Sequence, residues 1–344
     1  MTNRTRFSIG KIGMLGAALF VAGAGVAQAK STLTVFTTIE PEVMKFYKTG
    51  FEKANPDIEI KWVRESAGVI TSRLLAEKGG ADVVAGLAAT SLSLLAQRNM
   101  LLAYEPKGFK ELNKAYSDQG RPPTWTGNNV WGSTVCFNHE RAGALKLPKP
   151  KSWKDLLKPA YKGQIVMPHP GSSGTGFLDV SAWLQLWGET EGWKYMDALH
   201  ENVAYYTHSG SAPCKLAGEG KVAVGISFDF RAGLEIRSGK PITAIFPVEG
   251  LGWDVGANAI PKNSSNIEGA KKLVDWMASK EANAIYGNFY AIVAYPGQVR
   301  KMDGIPANYE SLLIKKNDFN WAAKNRERIL AEWSKRYGAK SEPK

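Results

Sequence analysis

The sequence predicts an α/β protein of two lobes, each a mainly parallel sheet flanked by helices, with a cleft between them. Three observations predict it. Of 344 residues, about 315 follow a leader-like N-terminus, more than one hydrophobic core usually organises. Strand, turn and helix patterns alternate along the chain, as expected of parallel sheets covered on both faces. The alternation breaks near residues 125–128 and resumes, so the chain passes into a second lobe and returns through residues 251–260.

The leader comes first. Residues 1–11 carry Arg4, Arg6 and Lys11 without an acid, residues 12–26 are apolar, and Ala27-Gln28-Ala29 is an A-x-A cleavage signal. The apolar run is shorter than the ~20 residues a membrane-spanning helix needs. Residues 1–29 are therefore expected to be a cleavable signal peptide, with an exported chain starting near Lys30. No Cys follows the apolar run, which disfavours a lipid anchor.

The first lobe, residues 30–129 and 257–300, opens with a strand at 33–36. A helix at 41–55 follows, with Pro41 in its first turn and Val43, Phe46, Tyr47 and Phe51 on one face. Strands at 58–63 and 82–87 alternate with helices at 69–78 and 90–97. The second lobe, residues 130–256, begins with a crossing strand at 130–137. It continues with a strand at 163–167, a helix at 176–187 and strands at 203–207 and 222–228. Ser265-Asn266-Ile267-Glu268 reads as a capping box for a helix burying Ala270, Leu273, Val274 and Met277. Residues 301–344 form a C-terminal helical segment.

The formal charge of +12 falls to +9 when the three leader bases are removed. Residues 311–344 hold nine Lys/Arg against four Asp/Glu, which reads as a solvated helical face with a frayed tail at 341–344 rather than a nucleic-acid site. Cys136 and Cys214 have no metal-ligand spacing. In an oxidising compartment they either pair or remain buried thiols.

In parallel sheets ligands collect beyond the carboxyl ends of strands, so the loops there matter most. In the first lobe they contain Thr37, Thr38 and Glu40, then Ser66, Ala67 and Gly68, then Ala88, all small or hydroxyl-bearing apart from the acid. In the second lobe residues 168–176 enter a helix through Ser172, Ser173, Gly174 and Thr175. Hydroxyls there stand beside the free N–H groups of a first helical turn, a cradle suited to a tetrahedral oxyanion. Thr207 and Ser209 end another strand. Asp229, beside Phe228, Phe230 and Trp253, is the expected counter-ion for a ligand ammonium, with Glu40 and Asp254 as rivals. The sequence contains no G-x-S-x-G elbow, phosphate-binding P-loop, HExxH or complete dinucleotide fingerprint. No catalytic residue, metal or cofactor is expected. A hydrolase built on Ser173 with His169 or His208, and iron binding through Tyr205 and Tyr206, are the weaker alternatives.

Several segments together resemble a known family: residues 33–38, 62–71, 163–177, 206–211 and 249–254, within a likeness running to residues 321–337. They are similar to the periplasmic 2-aminoethylphosphonate-binding components of ABC importers, type II periplasmic binding proteins of the ferric-iron and polyamine kind. The resemblance implies two α/β lobes that close on ligand by hinge motion. It also implies a phosphonate held by hydroxyls and N–H groups at Thr37, Thr38, Ser66, Ser172, Ser173, Gly174 and Thr175, and an acid for the ammonium. Glu-Tyr is common in that family where this chain has Asp229-Phe230, so the acid here is shorter. A monomeric periplasmic protein delivering its small ligand to permease subunits, with no nucleic-acid partner, is the expectation.

Overall fold

The computed structural model describes residues 1–3, 30–78 and 80–343. All but the first three residues of the expected signal peptide lie outside the described residues. Three strand–helix units open the chain: β1 (Ser31–Thr37), α1 (Pro41–Ala54), β2 (Ile58–Arg64), α2 (Ala67–Leu75), β3 (Val83–Ala88) and α3 (Ala89–Gln97). Their β-branched runs pair in parallel in the order β2-β1-β3. Helix α1 starts on Pro41, as expected, and buries Val43, Tyr47 and Phe51. Phe46 departs from the expected face: it is exposed, with its ring beside Phe289 and under the Lys45 ammonium.

The long strand β4 (Thr126–Asn138) joins the lobes. After it come α4 (His139–Ala144), β5 (Ile165–Pro168), α5 (Gly174–Trp187), α6 (Glu189–Asn202), β6 (Val203–Thr207), α7 (Ala212–Gly218), β7 (Val224–Phe228), α8 (Asp229–Arg237) and β8 (Ile242–Ile245). Strand β9 (Trp253–Ala259) returns to the first lobe, followed by α9 (Ile267–Met277), α10 (Lys280–Tyr286), β10 (Ile292–Val293), α11 (Tyr309–Leu312) and α12 (Phe319–Tyr337). Through Gly132, β4 pairs antiparallel with β9; from Ser133 onward its partners are β7 and β8. Strand β4 thus passes from one sheet to the other at Gly132–Ser133. In that lobe β5 pairs in parallel with both β6 and β7.

Apolar clusters cover the two faces of the first sheet, one around Tyr47, Phe51 and Trp276 and the other around Ile70, Leu92 and Val255. The second lobe packs around Trp153, Trp183 and Tyr161. Helix α12 inserts Ala322, Ile329, Trp333 and Tyr337 into that second core while also touching α3 of the first lobe. It therefore straps the lobes together. Its basic face is only partly solvated: Arg328 pairs with Glu189, Arg336 with Asp197 and Glu332, and Arg326 is buried over the Phe177 ring, contrary to the expected solvated face. The tail is not frayed at Ser341 and Glu342, because the backbone of Glu342 donates to the Tyr206 carbonyl (2.9 Å).

Helix α9 buries the four predicted residues, but its cap is Asn266, whose side chain accepts from Gly269 N–H (2.9 Å). Ser265 is drawn away by its hydrogen bond to Asp82 (2.8 Å), so the capping-box reading is shifted by one residue. Cys136 on β4 and Cys214 on α7 form a disulfide. Among the described residues no helix is long and apolar enough to cross a membrane.

Candidate functional site

The lobes meet along the carboxyl ends of their strands and leave a cleft of about 720 Å³, counting space open to solvent. Its walls include Thr38, Glu40, Ser66, Ala67 and Ala88 from the first lobe and Ser173, Gly174, Thr175 and Ser209 from the second. These were all expected at the site. The parallel topology explains the convergence, since every βα loop of a sheet opens on the same edge.

At the centre two helix N-termini abut. A Cβ placed on Gly174, the first residue of α5, would stand 2.9 Å from the Ala67 Cβ at the start of α2. Across the same rim Gly68 N–H donates to the Ser172 carbonyl (3.0 Å) and Ser66 Oγ to the His208 carbonyl (3.2 Å). Ser173 caps α5 by accepting from Gly176 N–H (3.4 Å), which leaves its own hydroxyl proton for a further partner. Two positive dipole ends pressed together repel each other, and an anion between them relieves that repulsion.

Beside them, Arg64 at the end of β2 directs its guanidinium along the wall, bonded to the Ile39 carbonyl (2.9 Å) and Glu40 (2.8 Å). Glu40 itself is buried and fully engaged. Its Oε2 also accepts from Arg231 (3.0 Å), and its Oε1 accepts from Ser211 Oγ across the lobes. Glu65 is the exposed carboxylate of the wall. Trp131, Phe228, Tyr286 and Tyr290 supply an aromatic side.

Other expected site residues lie behind the wall. Thr37 is fully buried, donating to the Ala85 carbonyl (2.9 Å) and accepting from Ile39 N–H (3.0 Å). Thr207 closes its own loop by donating to the Ser209 carbonyl (2.8 Å). Gly68 and Ser172 form the rim contact just described. Trp253 packs on Tyr116 and Phe319 and donates to the Ile314 carbonyl (2.9 Å).

Asp229 lies beneath the crossing strand, where it accepts from Gly132 N–H (3.2 Å) and Phe230 N–H (2.8 Å). Burial pushes its carboxyl up to about 6, with those hydrogen bonds pulling the other way. Asp254, the rival acid, accepts from Thr90 Oγ1 (2.7 Å) and Thr90 N–H (3.4 Å) in the first turn of α3, and burial likewise raises it to about 6. Tyr205 and Tyr206 both face away from the cleft: Tyr206 stacks on His200 and meets Trp333 edge to face, and Tyr205 packs near the disulfide. Among the described residues no cluster of three His, Cys, Asp or Glu could hold a metal ion.

Arg64 and Glu65 occupy the strand-end position that the topology marks, and their charge was the available signal. Tyr286 and Tyr290 reach the cleft from α10 and the segment beyond it, and no local pattern announces them.

Comparison with known proteins fits this architecture. The model of the family described as bacterial extracellular solute-binding protein matches residues 31–284. The chain belongs to that family. An uncharacterized protein of Haemophilus influenzae is 30% identical to this solute-binding protein, over 79% of each chain. A probable ABC transporter periplasmic-binding protein, y4fP of Sinorhizobium fredii, is 25% identical over 89% of this chain and 86% of its own. The periplasmic binding protein AfuA of Actinobacillus pleuropneumoniae, solved with fructose-6-phosphate bound, superposes with a TM-score of 0.83. It is 25% identical, and the match covers 90% of this chain and 99% of AfuA. The family is one of transport proteins that bind solutes, and its two-lobed α/β architecture is the one seen here.

Proposed function

We propose that this solute-binding protein captures 2-aminoethylphosphonate in the periplasm and delivers it to the permease subunits of an ABC importer. The observation that carries the reading is the abutment of the α2 and α5 N-termini across the cleft, with Arg64 beside them. A phosphonate there would accept from the unengaged first-turn N–H groups of both helices and from Ser173 and Thr175, with Arg64 supplying a charge-assisted bond, while Ser66 Oγ and Gly68 N–H hold the rim. For the ammonium end the proposed partner is Glu65 rather than Asp229, because Glu65 lines the cleft while Asp229 is bonded beneath β4. The aromatic side would shield that contact from water.

Titration calorimetry with 2-aminoethylphosphonate, inorganic phosphate, spermidine and ferric citrate tests this. Heat is expected with the first, and its absence would remove the ligand assignment. Glu65→Gln should weaken 2-aminoethylphosphonate binding roughly ten-fold and leave ethylphosphonate binding unchanged, because only the former carries the ammonium. Equal weakening of both would place the ammonium elsewhere. The likeness to AfuA, which binds fructose-6-phosphate, supports a second reading in which a larger phosphorylated solute fills the 720 Å³ cleft. Adding fructose-6-phosphate to the same titration distinguishes the two.

A further inference from the structure

We infer that Glu342 and His208 are positioning residues for the binding rim, and that residues 341–342 act as a clasp setting the second-lobe half of the contact between lobes. The segment lies far from the cleft in sequence, yet it docks along β6 by Glu342 N–H donating to the Tyr206 carbonyl (2.9 Å). From there it grips His208 twice. The Glu342 carboxylate accepts from His208 N–H, and the Glu342 carbonyl faces His208 Nε2 at 3.0 Å.

The second contact fixes the ring. A carbonyl can only accept, so Nε2 carries the proton, and in the neutral imidazole Nδ1 is left as the acceptor. Its partner is Ser172 Oγ at 2.9 Å. The Ser172 hydroxyl proton is thereby committed to His208, and Ser172 serves the rim instead of the ligand. Both residues so held meet the first lobe: the Ser172 carbonyl accepts from Gly68 N–H, and the His208 carbonyl accepts from Ser66 Oγ. One continuous chain of hydrogen bonds therefore runs from Glu342 through His208 and Ser172 to the first turn of α2.

The inference rests on the two-lobed binding reading but not on the ligand's identity, and its test needs no ligand. Amide hydrogen exchange is followed residue by residue on the full, ligand-free chain. Glu342→Ala should accelerate exchange at the Gly68 amide roughly five-fold, the effect of losing one hydrogen bond, with the core strand amides of Val35 and Ile226 unchanged. Glu342→Gln should behave as the parent, since its amide oxygen still accepts from His208 N–H. Glu342→Ala removes the carboxylate grip on His208 N–H and leaves the backbone carbonyl at Nε2; Ser172→Ala removes the ring's contact to the rim, and should reproduce the Glu342→Ala effect. The inference is overturned if Gly68 exchange is unaltered in Glu342→Ala, if Val35 and Ile226 accelerate as much as Gly68, or if Glu342→Gln is as fast as Glu342→Ala.

Discussion

Glu40 shows how a single carboxylate can sit in a binding cleft and still belong to the scaffold. Its two oxygens are taken by Arg64, Arg231 and Ser211, and the Arg231 side chain is only 4% exposed. Removing the acid strands a buried guanidinium whose other carboxylate contacts, to Glu42 at 3.3 Å and Glu235 at 3.6 Å, are longer. Breaking a buried pair in this way costs about 3–5 kcal/mol, far more than the pair adds relative to an apolar substitute. Glu40→Ala should therefore lower the unfolding free energy by about that amount in urea titrations. A loss under about 1 kcal/mol, the range of surface pairs, would show that Arg231 finds other compensation. The residue-level reading of the sequence placed Glu40 on the cleft, but its partners come from β2, the loop entering α7, and α8. No local pattern encodes such a convergence.

At the level of elements, β4 decides most of what happens between the lobes. It exchanges β9 for β7 at Gly132–Ser133, and buried acids attend that exchange: Asp229 accepts from Gly132 N–H and Asp179 from Ser133 Oγ (2.6 Å). Burial raises the Asp179 carboxyl well above its usual range. For Asp229 the folded value is about 6 against an ordinary 3.8, so between roughly pH 4 and 6 the folded protein holds a proton the unfolded chain has lost. The sign follows: this contribution is fully present below about pH 4, declines as pH rises to about 6, and amounts to about 3 kcal/mol at most. Asp229→Asn keeps the acceptor for both N–H groups and cannot ionise. It should flatten that part of the stability–pH curve and match or exceed the parent at pH 7. An unchanged slope between pH 4 and 6 would assign the pH dependence to Asp254 and Asp179 instead.

The strands and helices themselves were legible because their signals are local: β-branched runs, Pro41 opening α1, and the spacing of Leu273, Val274 and Met277 on α9. Asp229 was not, since an acid at a strand end can face the cleft or the crossing strand. The pairing of β7 with a strand almost a hundred residues earlier settles which.

For the whole molecule, the contact between the lobes depends on how near the two helix N-termini can come. Gly68 sits at the tightest point, where a Cβ would meet the Gly171 carbonyl oxygen at 2.2 Å and the Ser172 backbone at 2.8 Å. These are backbone atoms, so they cannot swing aside like a side chain. Within its own lobe, however, Gly68 lies in the first turn of α2 with no positive φ, and alanine favours a helix over glycine by up to about 1 kcal/mol. The two effects have opposite signs. Gly68→Ala should change the thermal stability of the ligand-free protein little, because the helix gain in α2 offsets part of the lost rim contact, while propping the lobes apart. If the overlap costs about 1–3 kcal/mol on closure, ligand affinity falls roughly five- to a hundred-fold. Solution X-ray scattering would show a larger radius of gyration at saturating ligand than in the parent. If the envelope and affinity both match the parent, the rim relaxes around the added methyl, and approach of α2 to α5 does not limit closure.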